Sequence, residues 1–319
     1  MVPPAVTGDT PTDTTRTGET DTVPAGVPGE TRYRVVDGEP FHVVEAGPTD
    51  GQLVVLLHGF PEFWYGWRDQ IGPLAAAGYR VVVPDQRGYN RSPKPDDRAA
   101  SRLPRLADDV LGLIDASDRE TASVVGHDWG GVVGWWLASE RPARLDRLVA
   151  VQAPHPGVIR ETLRRRPATL LRASHAAAFQ LPVAPEVVSR AFDWWLPKTI
   201  VRRTSMPGSF GRSEFRRYVA AWERPGAFTA MLNWYRANVR SPPDLSGSVD
   251  VPTRVVWGDD DSFLPTQMAH DSTDYATDIR TTVVPEATHW LQHDVPAEVT
   301  DAILDELDGP GHPSRGRPG

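Results

Sequence analysis

The sequence predicts a mostly parallel α/β sheet flanked by helices, with a helical segment inserted into it. Three observations carry that expectation. The short, continuous apolar run Leu53 to Leu57 has the character of a strand buried on both faces, and Arg80 to Pro84 reads as another buried strand. Segments with helical spacing alternate with them, which is the pattern of a parallel sheet covered by helices. From about His155 the texture changes: residues 155–245 lack clear buried strands and hold 15 Lys and Arg against 6 Asp and Glu.

Residues 1–30 are rich in Thr, Pro, Gly and Asp with almost no large apolar side chains, so burial cannot offset the entropy of ordering and a disordered tail is expected. RYRVVDGEPFHVVEAG follows, two β-type runs around Asp37-Gly38 that read as an antiparallel hairpin. Leu53 to Leu57 then runs into His58-Gly59-Phe60-Pro61-Glu62, where Gly59 and Pro61 mark a tight turn at the carboxyl end of a strand. Ligands of open α/β sheets sit outside such ends. Arg80 to Pro84 leads into Asp85-Gln86-Arg87-Gly88-Tyr89. Leu103 to Ile114 and Val132 to Glu140 are helical, while Ala122 to Val125 and Leu145 to Val151 are strand-like.

Within the inserted segment, PGVIRETLRRRP and GAFTAMLNWYRANV are the helical stretches, and the arginines read as a solvated face. Thr253 to Trp257 and Arg280 to Val284 return to short strands. Pro296 to Leu307 is a closing helix with proline near its start. The expected organisation is a tail (1–30), an α/β core made of 31–154 and 246–308, a helical cap over 155–245, and a flexible tail over 309–319.

With 42 acidic and 34 basic residues and a formal net charge of -8, the chain has no footprint for nucleic-acid binding. The absence of cysteine excludes disulfides, thiolate nucleophiles and cysteine-ligated zinc, and nothing suggests a metal centre. The first residues lack the basic and apolar regions of a secretory signal, and no apolar run approaches a membrane span. A soluble, cytoplasmic protein is expected, of undetermined oligomeric state.

The richest stretch is Gly126-His127-Asp128-Trp129-Gly130-Gly131. A strand enters it and a helix leaves it, with glycines where a sharp strand-to-helix turn admits only small residues. That is the context of a nucleophile elbow. The apex is Asp128, where the common pattern has serine. Attack by a carboxylate on a carbonyl gives an unproductive anhydride, whereas displacement at an sp3 carbon gives an alkyl ester that water can hydrolyse. The elbow therefore points to epoxides or alkyl halides.

Two more groups come from later strand ends: Asp261, in Trp257-Gly258-Asp259-Asp260-Asp261, and His289, in Ala287-Thr288-His289-Trp290. Nucleophile, acid, histidine is the chain order of α/β hydrolases. Here the histidine activates the water that attacks the ester, and Asp261 fixes its tautomer. The helix amino terminus after Asp128 favours the anion. The backbone N–H groups of Phe60 and Trp129 are the expected oxyanion hole. Tyr235, in Leu232-Asn233-Trp234-Tyr235-Arg236, is the candidate proton donor for an opening epoxide. His58 and His127 read as residues that buttress turns. Of the eleven tryptophans, Trp129 and Trp64 are expected near the site and the rest in the core.

Together HGFPE at 58–62, WYGWR at 64–68, DQRGY at 85–89, GHDWGG at 126–131, QAPHP at 152–156, FQLP at 179–182, NWYR at 233–236 and the Asp261 and His289 segments resemble the epoxide hydrolases of the α/β-hydrolase superfamily. The resemblance covers roughly residues 32–308. It implies the α/β-hydrolase fold with a cap over the site, a cis peptide before Pro61, and two cap tyrosines that hold the epoxide oxygen; the expected partners are a small-molecule epoxide and water, and no cofactor is expected. One matches, Tyr235; the other position carries His175, a departure that puts the two-phenol grip in question. Haloalkane dehalogenases typically have a halide-binding Asn where this chain has Glu62, and fluoroacetate-type dehalogenases an Arg where it has Trp129. A dehalogenase, or a non-catalytic small-molecule receptor on the same fold, is the alternative.

Overall fold

The computed structural model describes residues 23–165, 172, 174–239, 245 and 247–309. Eight strands form one sheet: β1 (Glu30–Val36), β2 (Glu39–Ala46), β3 (Leu53–Leu57), β4 (Arg80–Pro84), β5 (Ala122–His127), β6 (Leu145–Val151), β7 (Thr253–Gly258) and β8 (Ile279–Val284). Their order is β1-β2-β4-β3-β5-β6-β7-β8. β1 and β2 pair antiparallel through a two-residue turn at Asp37 and Gly38, both with positive φ, and β2 pairs antiparallel with β4. All later pairings are parallel.

The continuous apolar runs are explained by this topology. Every residue of β3, β4 and β5 is buried, because helices cover both faces of the parallel strands. Each fully buried Val or Leu stabilises the sheet by about 1.5–3 kcal/mol. The covering helices are α1 (Arg68–Ala76), α2 (Leu103–Asp115) and α3 (Trp129–Glu140), joined by helices that follow the insertion.

Between β6 and β7 the chain forms α4 (Pro156–Arg165), α5 (Ser174–Ala178), α6 (Ala184–Arg203), α7 (Arg212–Trp222) and α8 (Ala227–Asn238). Then follow α9 (Gln267–Asp271), α10 (Leu291–Asp294) and α11 (Pro296–Leu307). α8 is tied to the sheet's loops: Trp234 Nε1 donates to the Arg87 carbonyl at 2.9 Å, and Asn238 Nδ2 to the Ser101 carbonyl at 2.8 Å.

The tail expected over residues 1–30 ends sooner. Val23 and Val27 pack on the core, Val27 N–H donates to the Pro24 carbonyl at 3.0 Å, and β1 already begins at Glu30. The two valines supply apolar contacts that tie this part of the stretch to the core. Residues 1–22 and 310–319, where the remainder of the expected tails falls, lie outside the described residues. Among the described residues, no helix is long and apolar enough to cross a membrane.

Candidate active site

Parallel pairing brings the functional loops to one edge of the sheet. Leu57 is in register with Gly126, and His127 with Val151, so the turn after β3, the elbow after β5 and the loop after β6 lie side by side. The Asp261 and His289 loops follow β7 and β8 at the same carboxyl ends. Asp128 has φ 49° and ψ -119°, the backbone of a strained elbow, and α3 starts at the next residue. A Cβ on Gly126 would stand 2.3 Å from the Gly130 carbonyl oxygen, and one on Gly130 2.3 Å from that of Leu57. Only glycine permits that turn.

The Asp128 carboxylate is approached from two sides. Phe60 N–H donates to Oδ1 at 3.1 Å, and His289 Nε2 lies 3.9 Å from Oδ2. A Cβ at Gly59 would come within 2.5 Å of Asp128 Cβ, so this glycine lets the Phe60 amide reach the carboxylate. The Phe60–Pro61 bond is cis. The side chain of Asp128 is 20% exposed, which leaves it open to a small molecule.

His289 Nδ1 bonds Asp261 Oδ2 at 2.8 Å. Asp261 is itself over-determined: Oδ2 also accepts from Gln152 Nε2 at 2.6 Å, and Oδ1 accepts the N–H groups of Phe263 (2.5 Å) and Leu264 (3.1 Å). Burial by itself would raise the Asp261 carboxyl, but the facing His289 and these donors hold it below the usual carboxylate range. For His289 burial opposes the charged form, yet Asp261 and Asp128 outweigh it and raise the imidazole above its ordinary value.

Tyr235, from α8, is packed among the rings of Phe60 (5.2 Å between centroids), Phe179 (5.0 Å) and Trp129 (5.1 Å). Burial and then the Asp128 charge push its phenol well above 10, while a bond from Trp129 pulls the other way. The group is thereby kept protonated. His175, half-buried on α5, has its ring 6.0 Å from Tyr235 and 5.4 Å from Phe263. Burial lowers its pKa against the pull of Asp128, so the ring is held neutral, and it bonds the Arg172 carbonyl.

Of the residues singled out in the sequence, Asp128, Asp261, His289, Tyr235, Phe60, Trp129 and His175 therefore come together. Trp64 does not join them. Its side chain is fully buried against Phe63 and Tyr65, and its backbone N–H donates to Asp85 Oδ1 at 3.1 Å. It is a core residue beneath the turn, as its large apolar surface favours. His58 buttresses that turn, with Nδ1 donating to the Gly59 carbonyl at 3.0 Å and Nε2 accepting from Gln86 N–H at 3.1 Å.

Two positioning groups escaped the sequence reading. Gln152, with φ 47°, bridges β6 and β7 by accepting from Gly258 N–H at 2.7 Å while donating to Asp261; its position just past the end of a buried strand was the available signal. Glu62 is the hub of a buried network. Oε1 accepts from the Tyr218 hydroxyl (2.7 Å) and His293 Nε2 (2.6 Å), and Oε2 accepts from Gln292 Nε2 (2.9 Å) and lies 3.0 Å from His127 Nδ1. His127 Nε2 donates in turn to the His289 carbonyl at 2.9 Å. Burial would raise the Glu62 carboxyl; the imidazoles of His293 and His127 outweigh it and hold it well below the carboxylate range. Among the described residues no cluster suited to a metal ion is found.

Residues 52–296 match the family model described as the alpha/beta hydrolase fold. The chain is 45% identical over 272 residues to the AB hydrolase superfamily protein YfhM of Bacillus subtilis, spanning 85% of this chain and 95% of that protein. It is 35% identical over 274 residues to human epoxide hydrolase 4, spanning 83% of this chain and 75% of the relative. A crystal structure of Bacillus megaterium epoxide hydrolase in complex with an inhibitor matches with a TM-score of 0.80 at 26% identity, over 87% of this chain and 100% of that one.

Proposed function

This chain belongs to the α/β-hydrolase family and is an epoxide hydrolase, and on that premise we propose that it converts an epoxide to a vicinal diol through a covalent alkyl ester on Asp128. The observation that carries the reading is the orientation of the carboxylate, with Oδ1 on the Phe60 N–H and Oδ2 facing His289. Oδ2 attacks an epoxide carbon, the carbon–oxygen bond breaks, and the Tyr235 phenol gives its proton to the leaving oxygen. An alkoxide is about as basic as hydroxide, for which the water pKa of about 15.7 is the yardstick. A phenol raised above 10 therefore still suffices as the acid.

Oδ1 is then the ester carbonyl oxygen. His289 takes a proton from water, which attacks the carbonyl carbon, and the charge developing on Oδ1 is met by the N–H groups of Phe60 and Trp129. Collapse releases the diol and the Asp128 carboxylate, and the proton on His289 returns to the Tyr235 oxygen. Asp261 steadies the imidazolium in between. His175 stands beside Tyr235; its ring bond to the Arg172 carbonyl leads us to assign the proton to Tyr235 alone. Residues 155–245 act as the cap, and the partners are a small-molecule epoxide and water, with no cofactor.

The test is the intact mass of a His289→Gln variant mixed with styrene oxide or a chloroalkane, wild type serving as control. An accumulating epoxide adduct on the peptide that bears Asp128 is the expected result. An adduct with the chloroalkane alone, with chloride released, would make the protein a dehalogenase. Binding of both compounds with no adduct from either would sink the ester mechanism.

A further inference from the structure

Seven of the ten exposed large apolar side chains among the described residues lie between Leu181 and Ile200, including Val183, Val187, Phe192 and Trp195. The backbone is bent to present them. α6 breaks after Ala191, and Phe192, Asp193 and Trp194 have φ of 52°, 55° and 57°. Left-handed backbone costs roughly 1–2 kcal/mol per residue for side chains other than glycine. The turn separates its aromatic residues: Trp194 is 2% exposed, its indole N–H donating to Glu223 Oε1 at 3.1 Å and its ring packed on Trp222 and Phe228, whereas Phe192 is 89% exposed and Trp195 59%. One tryptophan anchors the bend while its neighbours are held in water.

Charge indicates what covers them. Residues 155–245 carry 15 Lys and Arg against 6 Asp and Glu, in a chain whose net charge is -8. Along α6 both acids are already engaged, Glu186 with Arg236 at 2.8 Å and Asp193 with Lys198 at 2.6 Å, while Arg190, Arg202 and Arg203 are exposed. A second copy of the chain fits poorly. A two-fold contact would set this basic surface against itself, and outside it only Tyr33, Val35 and Val239 are exposed large apolar side chains among the described residues. The first 22 residues offer almost no large apolar side chains to lay on it. An anionic bilayer meets both demands, with acyl chains for the aromatic and aliphatic tips and phosphates for the arginines.

We propose that the bend in α6 docks the protein on the surface of anionic lipid bilayers. The contact is peripheral, and lipid binding is read without turnover, so it stands apart from the ester mechanism. Full-length protein is sedimented with vesicles of phosphatidylcholine alone or in equal parts with phosphatidylglycerol. Binding is expected to the mixed vesicles, to weaken with added salt, and to fall at least about tenfold in a Phe192→Ser, Trp195→Ser double variant, the loss of two buried aromatic tips being more than sufficient for that change. Unchanged circular dichroism and turnover of dissolved styrene oxide control for folding. Should that variant misfold, Arg190→Glu with Arg203→Glu is expected to lose binding as well. Failure of the native protein to bind mixed vesicles, or equal binding by a folded variant, overturns the proposal.

Discussion

The groups of the site rest on two different supports. Asp261 and His289 stand on loops at strand ends, and hydrogen bonds within those loops and from the ends of β5 and β6 fix them: four donors or partners on the Asp261 carboxylate, and bonds to both the ring and the carbonyl of His289. Tyr235 and His175 come from helices inserted between β6 and β7, and aromatic ring contacts dominate their surroundings. Hydrogen-bonded strand ends fix direction to within a few tenths of an ångström, whereas ring packing tolerates exchange of one side chain for another of similar bulk. The departure from the expected residue, His175, accordingly falls on the helical side.

If the helices serve ring opening and the sheet serves ester hydrolysis, variants should divide the reaction the same way. Tyr235→Phe is expected to slow ester formation from an epoxide by about 10² or more, the usual contribution of a general acid, while leaving hydrolysis of a preformed ester close to native. Rapid-quench mass measurement separates the two steps, and equal slowing of both would erase the division.

The next effect is on pH. His289 must be neutral to take a proton, and its pKa is raised in the resting site. Ester hydrolysis should therefore fall about tenfold per pH unit below that pKa. Esterification removes the Asp128 charge that helps raise it, so the acid limb measured on the ester should lie at lower pH than the titration of free His289 followed by NMR. A hydrolysis rate flat across the acid limb would remove His289 as the base.

The last effect is on stability rather than rate and concerns Glu62, which supports the sheet side from beneath. Glu62→Gln should lower stability at neutral pH by about 3 kcal/mol, the cost of breaking a buried charged group's set of partners, seen as a lower urea midpoint. Because the folded pKa of Glu62 is depressed, its contribution is full above the ordinary carboxylate value and is lost as pH falls through the folded one. The gap between native and variant should consequently narrow in acid; a gap that widens there would mean Glu62 is not held as the anion.

Much of the sheet side was legible because local sequence suffices for it. Gly126 and Gly130 announce the elbow, the apolar run Leu53 to Leu57 announces β3, and the three acids after β7 contain the one that reaches His289. The Glu62 network was hidden because its partners Tyr218 and His293 sit far along the chain, and only the packed fold brings them to one carboxylate. Trp64 misled because a motif near the site does not say which of its aromatic residues turn inward. The bend in α6 was equally hidden: no glycine marks the positive φ of Phe192, Asp193 and Trp194.

The strand order also fixes when the enzyme becomes complete. Asp128 follows β5 in the middle of the sheet, while His289 follows β8, the last strand of the chain and an edge of the sheet. During synthesis Asp128, the proposed nucleophile, emerges from the ribosome long before His289, its proposed base. Under the proposed mechanism a chain that ends before β8 lacks the base that frees a captured electrophile, so repeated turnover requires the final strand.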